Sequence, residues 1–179
     1  AFAHSATAER VEANQELFRQ RAILSAMNIS YDSPEEVYEK FDNVQTREIE
    51  DMEFYTSVVD GSRVYARSFA GSGLWGTITG VIAVNSSVSR IAGLEIISHN
   101  ETPGLGGRIE EQWFKDQFAG ERIPSEGITV DVQGSGTGDE DPDNGEVDAI
   151  TGATRTSTAM EVIINNVLEN IRPVLGGES

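Results

Sequence analysis

The stretch VVDGSRVYARSFAGSGLWGTITGVIAV, residues 58–84, decides the fold class. Within it, Asp60-Gly61 is a typical two-residue turn of a β-hairpin. Side chains alternate over residues 63–69 with the period of a strand, glycines 71 and 73 interrupt the pattern, and a second strand is predicted over 74–84. Consecutive strands joined by short turns predict an antiparallel meander.

The sequence on either side of this meander predicts further strands and several helices. Residues 8–27 form a predicted helix with an approximate apolar stripe of Val11, Leu17, Phe18, Leu24 and Met27. The other predicted elements are a helix capped by Ser33, strands over 47–59, 89–98 and 128–132, a short helix over 109–118, a surface loop over 133–147, and a final helix over 155–171 that ends before Pro173. The predicted fold class is α+β, an antiparallel sheet with helices packed on it.

Composition and charge exclude several classes of protein. The chain has 179 residues, with 13 Lys and Arg against 30 Asp and Glu, and a net charge of −17. Such a chain is unsuited to bind nucleic acid or an anionic lipid surface, because both require clustered basic residues. It has no cysteine and only two histidines, which excludes disulfides, thiolate chemistry, and multi-His or Cys-ligated metal sites. We therefore predict no metal site.

The segment DAITGAT, residues 148–154, directly precedes the final helix. The pair Gly152-Ala153 is small, so a ligand can approach the backbone closely. Thr154 and Thr156 lie at the helix start, where free N–H groups and the positive end of the helix dipole favour an anion such as phosphate. Capping of the helix by Thr151 or Thr154 is the alternative explanation, and the preference of threonine for cap positions favours it.

A second candidate segment, HNETPGLGGR at residues 99–108, follows a predicted strand. Its glycines and proline shape the loop and leave backbone N–H groups exposed. Such a loop can surround a flat ligand, with Thr102 as hydrogen-bond donor and Leu105 as apolar contact. An ordinary strand-to-helix connection is the alternative, and the residues do not decide between the two.

Two other segments carry weaker signals. Trp75, flanked by glycines, can stack on a planar ring, although a tryptophan at a strand start is more often part of the core. Residues 139–146 are rich in acids, but an EF-hand calcium loop requires glycine and glutamate where this chain has Asn144 and Ile150. We expect a solvated acidic loop there.

The two candidate loops taken together resemble one family. Asp-x-x-Thr-Gly-Ala-Thr at 148–154 and Glu-Thr-Pro-Gly-Leu-Gly at 101–106 are similar to motifs of the FMN-binding domain found in NqrC of the sodium-translocating NADH:quinone reductase and in RnfG of the Rnf electron-transport complex. The resemblance runs from about residue 50 to residue 172. Leu74-Trp75 is typical of the quinone-reductase protein, whereas Asp-Ala-Ile-Thr-Gly-Ala-Thr is closer to the Rnf protein. Arg155 departs from the family, in which an apolar residue is common at that position.

The resemblance implies where a cofactor binds. In the family the last threonine of the motif, here Thr154, carries FMN through a phosphoester. A dedicated flavin transferase recognises Asp148, Thr151, Gly152, Ala153 and Thr154, and joins FMN to Thr154 with loss of AMP from FAD. The other implied cofactor-binding residues are Thr156, Glu101, Thr102, Gly104, Leu105, Leu74 and Trp75. No residue of the chain is implied to be catalytic, because the flavin carries the redox chemistry.

The resemblance also implies a function and a place in the cell. Residues 1–45 would be an N-terminal helical segment and residues 46–179 the FMN-binding domain. The chain would be an electron-transfer flavoprotein of a membrane-bound, ion-translocating oxidoreductase complex, with the other subunits and the flavin transferase as partners. It would lie on the extracytoplasmic face, held by an N-terminal anchor absent from this chain. The alternatives are a stand-alone FMN carrier, an FMN module of a soluble reductase, and a binding module for another anionic ligand.

Overall fold

Five antiparallel strands form the main sheet of the protein. The computed structural model describes residues 2–176, with side chains from residue 11 onward. The elements in chain order are α1 (Phe2–Ala26), α2 (Pro34–Phe41), β1 (Gln45–Ile49), β2 (Met52–Val59), β3 (Ser62–Ser72), β4 (Thr77–Asn85), β5 (Ile91–Ser98), a 3₁₀ helix (Gly106–Glu110), α3 (Gln112–Asp116), β6 (Thr129–Asp131), β7 (Glu146–Asp148) and α4 (Thr154–Leu175). Strands β1 to β5 lie side by side in chain order, which confirms the α+β class and the antiparallel meander.

Tight turns with left-handed residues connect the first three strands. Asp60 and Gly61 have φ of 49° and 78°, so the predicted hairpin between β2 and β3 is confirmed. Glu50 and Asp51 have φ of 48° and 62° and form a second tight turn, between β1 and β2. Residues 47–59, predicted to be extended, are therefore extended except at this turn. The turn was not predicted, because it lacks the glycine that usually signals one.

The loop between β3 and β4 includes residues that the sequence assigned to a strand. β3 continues through Gly71 to Ser72, and β4 begins at Thr77 rather than at residue 74. The Gly73 N–H donates to the Gly76 carbonyl at 2.7 Å, which closes a turn over Leu74 and Trp75. Trp75 consequently lies at a loop tip with 66% of its surface exposed, and not in the core.

Helix α1 packs on one face of the sheet through its C-terminal part. Ile23 and Met27 lie in a buried cluster with residues of β2, β3 and β4, and Leu24 is also fully buried. Val11 and Phe18 are 49% and 52% exposed, so the predicted apolar stripe is wrong at these two positions. Residues 11–15 are all exposed, and the helix therefore gains its tertiary contacts from its last two turns.

Helix α4 covers the opposite face of the sheet. The predicted stripe is confirmed, since five of its residues are almost fully buried and Val167 is partly buried against the same core. The five are Met160, Ile163, Ile164, Leu168 and Ile171. The predicted end before Pro173 is wrong, because the helix continues to Leu175. A proline inside a helix costs about 3 kcal/mol, whereas burial of an apolar side chain gains about 1.5–3 kcal/mol. Val174 and Leu175 are both buried, and together they offset that cost.

A small parallel pair of strands leads into α4. β6 pairs with β7, with Thr129 opposite Glu146 and Asp131 opposite Asp148. The sequence predicted β6 but placed β7 within a loop, because three-residue strands carry too little pattern to detect. The helix predicted over 109–118 is divided between the end of the 3₁₀ helix and α3. The pairing fixes the backbone of Asp148, from which the chain turns into α4.

The N-terminal part of the chain is helical. Residues 2–45 contain α1 and α2, as predicted, and Ser33 accepts the Glu36 N–H at 3.2 Å at the start of α2. No helix among residues 2–176 is long and apolar enough to cross a membrane. The domain boundary at residue 45 stays a prediction.

Candidate functional site

Three loops that are far apart in the sequence meet at one pocket. The cavity of about 410 Å³ lies between the β3–β4 loop, the loop after β5 and the start of α4. Its lining residues are Leu74, Trp75, Thr102, Leu105, Gly106, Gly152, Ala153, Thr154, Arg155 and Thr156. Eight of the residues that the sequence assigned to cofactor binding therefore line the same cavity. Gly106 and Arg155 also line the cavity but were not predicted to bind the cofactor. Gly106 belongs to the glycine-rich loop, and Arg155 is the residue that departs from the family pattern.

The pocket lining is free of negative charge. None of the described lining residues is a carboxylate, although the chain carries a net charge of −17. Leu74, Trp75 and Leu105 contribute apolar surface, and Arg155 contributes a positive charge. Apolar walls with a few convergent polar groups are typical of sites for organic ligands. This lining suits a flat ring that carries an anionic group.

Helix α4 begins without a capping side chain. Its N-cap residue is Ala153, and no side chain accepts a hydrogen bond from the first turn. The alternative that Thr151 or Thr154 caps the helix is therefore wrong. The first-turn N–H groups, together with the positive end of the helix dipole, are available to an anion. Thr154 is exposed to the pocket beside them.

The turn that leads into α4 is fixed by a buried serine. The Ser157 hydroxyl accepts from the Ile150 N–H at 3.0 Å and donates to the Ala153 carbonyl at 3.1 Å. Gly152 has φ of +80°, a conformation that favours glycine. Thr151 is exposed next to it and does not line the cavity. These contacts place Thr154 at the edge of the pocket.

Glu101 lies behind the pocket lining and connects its two sides. The residue is only 4% exposed. Its Oε1 accepts from the Trp75 N–H at 3.0 Å, and its Oε2 accepts from the Thr156 hydroxyl at 2.5 Å. The carboxylate therefore joins the β3–β4 loop to α4. Both of its oxygens have donors within the protein.

Two glycines make room for this carboxylate and its partner. A Cβ on Gly73 would lie 2.5 Å from Glu101 Oε1, and a Cβ on Gly106 would lie 2.4 Å from Thr156 Oγ1. Gly104, by contrast, has φ of +74° and open space around it. It lies at the exposed tip of the loop, outside the cavity lining. Gly104 thus shapes the loop, whereas Gly73 and Gly106 permit close packing.

His99 supports the Glu101 backbone from below the loop. Its Nδ1 accepts the Glu101 N–H at 3.1 Å, and its Nε2 lies 3.3 Å from a Glu110 carboxylate oxygen. An Nδ1 that accepts a hydrogen bond places the proton of the neutral ring on Nε2. The histidine is therefore oriented by two partners and does not line the pocket.

Asp148 is buried and organises a neighbouring loop. The residue is 7% exposed. Its Oδ2 accepts from the Ser135 hydroxyl at 2.5 Å, from the Gly136 N–H at 3.0 Å and from the Gly138 N–H at 3.4 Å. This loop lies against the turn that leads into α4, since a Cβ on Gly136 would lie 2.1 Å from Thr151 Oγ1. Asp148 is therefore linked to that turn through residues 134–138.

The acidic loop over residues 139–146 uses its carboxylates to bind its own backbone. Asp139 Oδ1 accepts the Asp141 N–H at 3.1 Å, and Asp141 Oδ1 accepts the Asp143 N–H at 3.1 Å. In the part of the chain that the structure describes, no group of three or more acidic or histidine side chains is arranged to hold a metal ion. Glu121 accepts the Gly145 N–H at 2.7 Å. Burial, reinforced by the charges of Asp139 and Asp141, raises the pKa of Glu121.

Comparison with known proteins identifies the family. A family model described as an FMN-binding domain matches residues 73–169, more than half of the chain. The chain belongs to the FMN-binding domain family. The match begins next to Leu74-Trp75 and includes both the loop after β5 and the start of α4, so the pocket lies entirely within it.

Relatives of this FMN-binding domain are found among the NqrC subunits of one enzyme, the Na⁺-translocating NADH-quinone reductase. The relative from Pseudomonas aeruginosa is 31% identical over 104 residues, which are 53% of this chain and 38% of the relative. The corresponding protein of Neisseria meningitidis serogroup B is 34% identical over 92 residues, which are 51% of this chain and 35% of the relative. The matched region thus spans little more than a third of the length of these relatives.

Solved structures share most of the architecture of this FMN-binding domain. NqrC of the Na⁺-translocating NADH-quinone reductase of Parabacteroides distasonis has a TM-score of 0.73 and 25% identity, and the match covers 92% of this chain and 94% of that chain. NqrC of Shewanella oneidensis has a TM-score of 0.68 and 18% identity, covering 88% and 94%, and this likeness shows the fold alone.

The residues of the pocket fit the chemical groups of FMN. The apolar surfaces of Leu74, Trp75 and Leu105 suit the isoalloxazine ring, and the uncapped start of α4 suits the phosphate. No carboxylate belongs to the described lining, so a phosphate bound there would meet no acidic side chain of the lining itself.

Proposed function

We propose that this pocket holds FMN, with the ring against Leu74, Trp75 and Leu105 and the phosphate at the start of α4. The observation that carries the proposal is the exposed Thr154 side chain beside an uncapped helix start, in a pocket lining without acids. The bound flavin supplies the electron-transfer chemistry. This chain's residues bind it, orient it and exclude water from one of its faces.

We further propose that Thr154 carries the FMN through a phosphoester. The Thr154 oxygen attacks the phosphorus on the FMN side of the FAD pyrophosphate. The bond from that phosphorus to the bridging oxygen breaks, AMP departs with the bonding electrons, and the hydroxyl proton is released. The resulting phosphodiester keeps one negative charge, which the first-turn N–H groups of α4 stabilise.

The composition of the pocket supports attachment by a separate transferase. Neither a histidine nor a carboxylate is found among the described lining residues. Glu101, directly behind them, has both oxygens occupied by donors. The described lining therefore offers no free base to take the Thr154 proton, and in this proposal the transferase supplies one.

Asp148 has a defined part in this proposal. Its carboxylate is buried and accepts three hydrogen bonds from the 134–138 loop. We propose that the transferase depends on Asp148 because it presents that loop beside Thr151, Gly152, Ala153 and Thr154. Its contribution is the shape of the surface that the transferase binds.

We propose that the domain transfers electrons within a membrane-bound, sodium-translocating NADH:quinone reductase, with its other subunits as redox partners. The names of the relatives support this enzyme, and ion translocation requires a membrane. The sequence Asp-Ala-Ile-Thr-Gly-Ala-Thr at residues 148–154 supports the Rnf complex as the second candidate. An extracytoplasmic position and an N-terminal anchor rest on the family resemblance.

Intact-mass measurement of the chain produced together with a flavin transferase tests the attachment. Wild type should gain the mass of FMN less one water, and Thr154→Ala should gain none. Thr158→Ala is the matched control, since Thr158 is exposed on α4 about one turn later, and it should gain the full mass. An unmodified wild type beside an active transferase, or a modified Thr154→Ala, would contradict covalent attachment at Thr154. Flavin that co-purifies without a bond would then still support FMN binding.

A further inference from the structure

Arg155 is a positive charge in the pocket that pairs with no acid among the described residues. It lines the cavity next to Thr154 and is exposed. The described ion pairs of arginine and lysine involve Arg19, Lys40, Arg90, Arg108 and Lys115. Arg155 therefore lines the pocket without a hydrogen-bond or ion-pair partner among the described residues, in a chain with more than twice as many acids as bases.

The position of Arg155 is electrostatically unfavourable without a ligand. It is the second residue of α4, and no acidic residue lies in the first turn of that helix. A cation there meets the positive end of the helix dipole, which favours anions and disfavours cations. An anion bound between the guanidinium and the first-turn N–H groups would turn this repulsion into attraction from two sides.

We propose that Arg155 is the countercharge of the flavin phosphate and determines the preference of the site for FMN over riboflavin. This inference rests on the proposed function. The planar guanidinium donates two parallel hydrogen bonds, a geometry that matches phosphate oxygens. Leu74, Trp75 and Leu105 contact the ring, which FMN and riboflavin share. The effect of Arg155 therefore falls on the phosphate alone.

Binding of the two flavins to the full chain, produced without a transferase, tests the inference. Quenching of flavin fluorescence gives the Kd for FMN and for riboflavin. Arg155→Leu should weaken FMN binding about tenfold at low salt and leave riboflavin binding unchanged. Arg63→Leu, at an exposed position at the start of β3, makes the same change in net charge and should leave both unchanged. The FMN difference should shrink in 1 M salt, where charges are screened.

Arg155→Lys keeps the charge and loses the paired donors, so it should fall between wild type and Arg155→Leu. Thermal unfolding of the unliganded variants checks that each remains folded. An equal loss of affinity for FMN and riboflavin would show that Arg155 contacts the ring rather than the phosphate. An unchanged affinity for FMN would show that Arg155 does not contribute to flavin binding. Either result would overturn the inference while the flavin site stands. A wild type that binds neither flavin would instead overturn the proposed function, and this inference with it.

Discussion

Replacement of Glu101 tests whether one buried carboxylate holds the two sides of the pocket together. Its two oxygens receive the Trp75 N–H at 3.0 Å and the Thr156 hydroxyl at 2.5 Å. Glu101→Ala removes both contacts and leaves both donors without their acceptor. Glu101→Gln keeps the shape of the side chain but removes its charge.

The structure allows the two losses to be ranked. A hydrogen bond to a charged group contributes roughly 1.5–3 kcal/mol net, so Glu101→Ala should lower the free energy of unfolding by about 4 kcal/mol. In a protein of this size that corresponds to a fall in Tm on the order of 10 °C. In Glu101→Gln the carbonyl still accepts from Trp75, and the amide donates to the Thr156 oxygen. Neutral hydrogen bonds are weaker, so we expect a loss of about 1–2 kcal/mol.

Urea denaturation followed by circular dichroism measures these losses on the unliganded chain. Thr156→Val removes the partner hydroxyl at nearly constant volume. The losses of Glu101→Ala and Thr156→Val should not add, because both remove the contact between Glu101 and Thr156, and the coupling should reach about 1 kcal/mol. Glu140→Gln is the matched control, since Glu140 is exposed, and it should shift stability by less than about 0.5 kcal/mol.

Two results would refute this reasoning. Equal losses for Glu101→Ala and Glu101→Gln would show that the charge alone matters and that the two contacts do not. Additive losses in the double variant would show that Glu101 and Thr156 contribute independently, despite the 2.5 Å between their oxygens. Either outcome would remove the basis for describing Glu101 as the connection between the β3–β4 loop and α4.

Three further predictions concern residues around the site. Burial raises the pKa of Glu121, so the stability that its protonated form contributes is present below the usual glutamate pKa of about 4.3 and is lost as the pH rises through the raised value. In urea melts, Glu121→Gln should therefore gain stability over wild type as the pH rises from 4 to neutrality. Stability that changes with pH in the same way in both proteins would contradict this. Gly106→Ala places a Cβ 2.4 Å from Thr156 Oγ1 and should lower the free energy of unfolding by about 1–3 kcal/mol. Part of this loss should be recovered when Thr156 is also replaced by Ala. A single variant as stable as wild type would show that the loop can move aside without cost. Asp148→Ala removes the acceptor of three hydrogen bonds, so amide hydrogen exchange should become faster at residues 134–138 and stay unchanged in the middle of α4. Unchanged exchange at residues 134–138 would count against the role assigned to Asp148.

Local physical chemistry accounts for the elements that the sequence predicted correctly. The Asp60-Gly61 turn, the Ser33 cap and the stripe of α4 each depend on residues within a few positions of one another. Their free energies are decided by backbone preference and periodicity, and these are visible in the order of the residues.

The elements that were predicted wrongly depend on contacts between distant residues. The extension of α4 past Pro173 is stabilised by burial of Val174 and Leu175, which no local pattern shows. β7 forms because β6 lies beside it in parallel register. Phe18 is exposed because α1 contacts the sheet through its C-terminal part, which begins after this residue.

For the candidate site, the sequence by itself determined which chemical groups are present. The segments around Thr154, Leu105 and Trp75 were identified from small residues, glycines and motif spacing, and the structure brings all three to one pocket. Tertiary structure alone decided that the Glu101 oxygens face Trp75 and Thr156, that Asp148 serves the 134–138 loop, and that Arg155 lines the cavity. The physical reason is that a buried carboxylate takes whichever donors the fold brings within hydrogen-bond distance, and for Glu101 those donors lie 26 and 55 positions away along the chain.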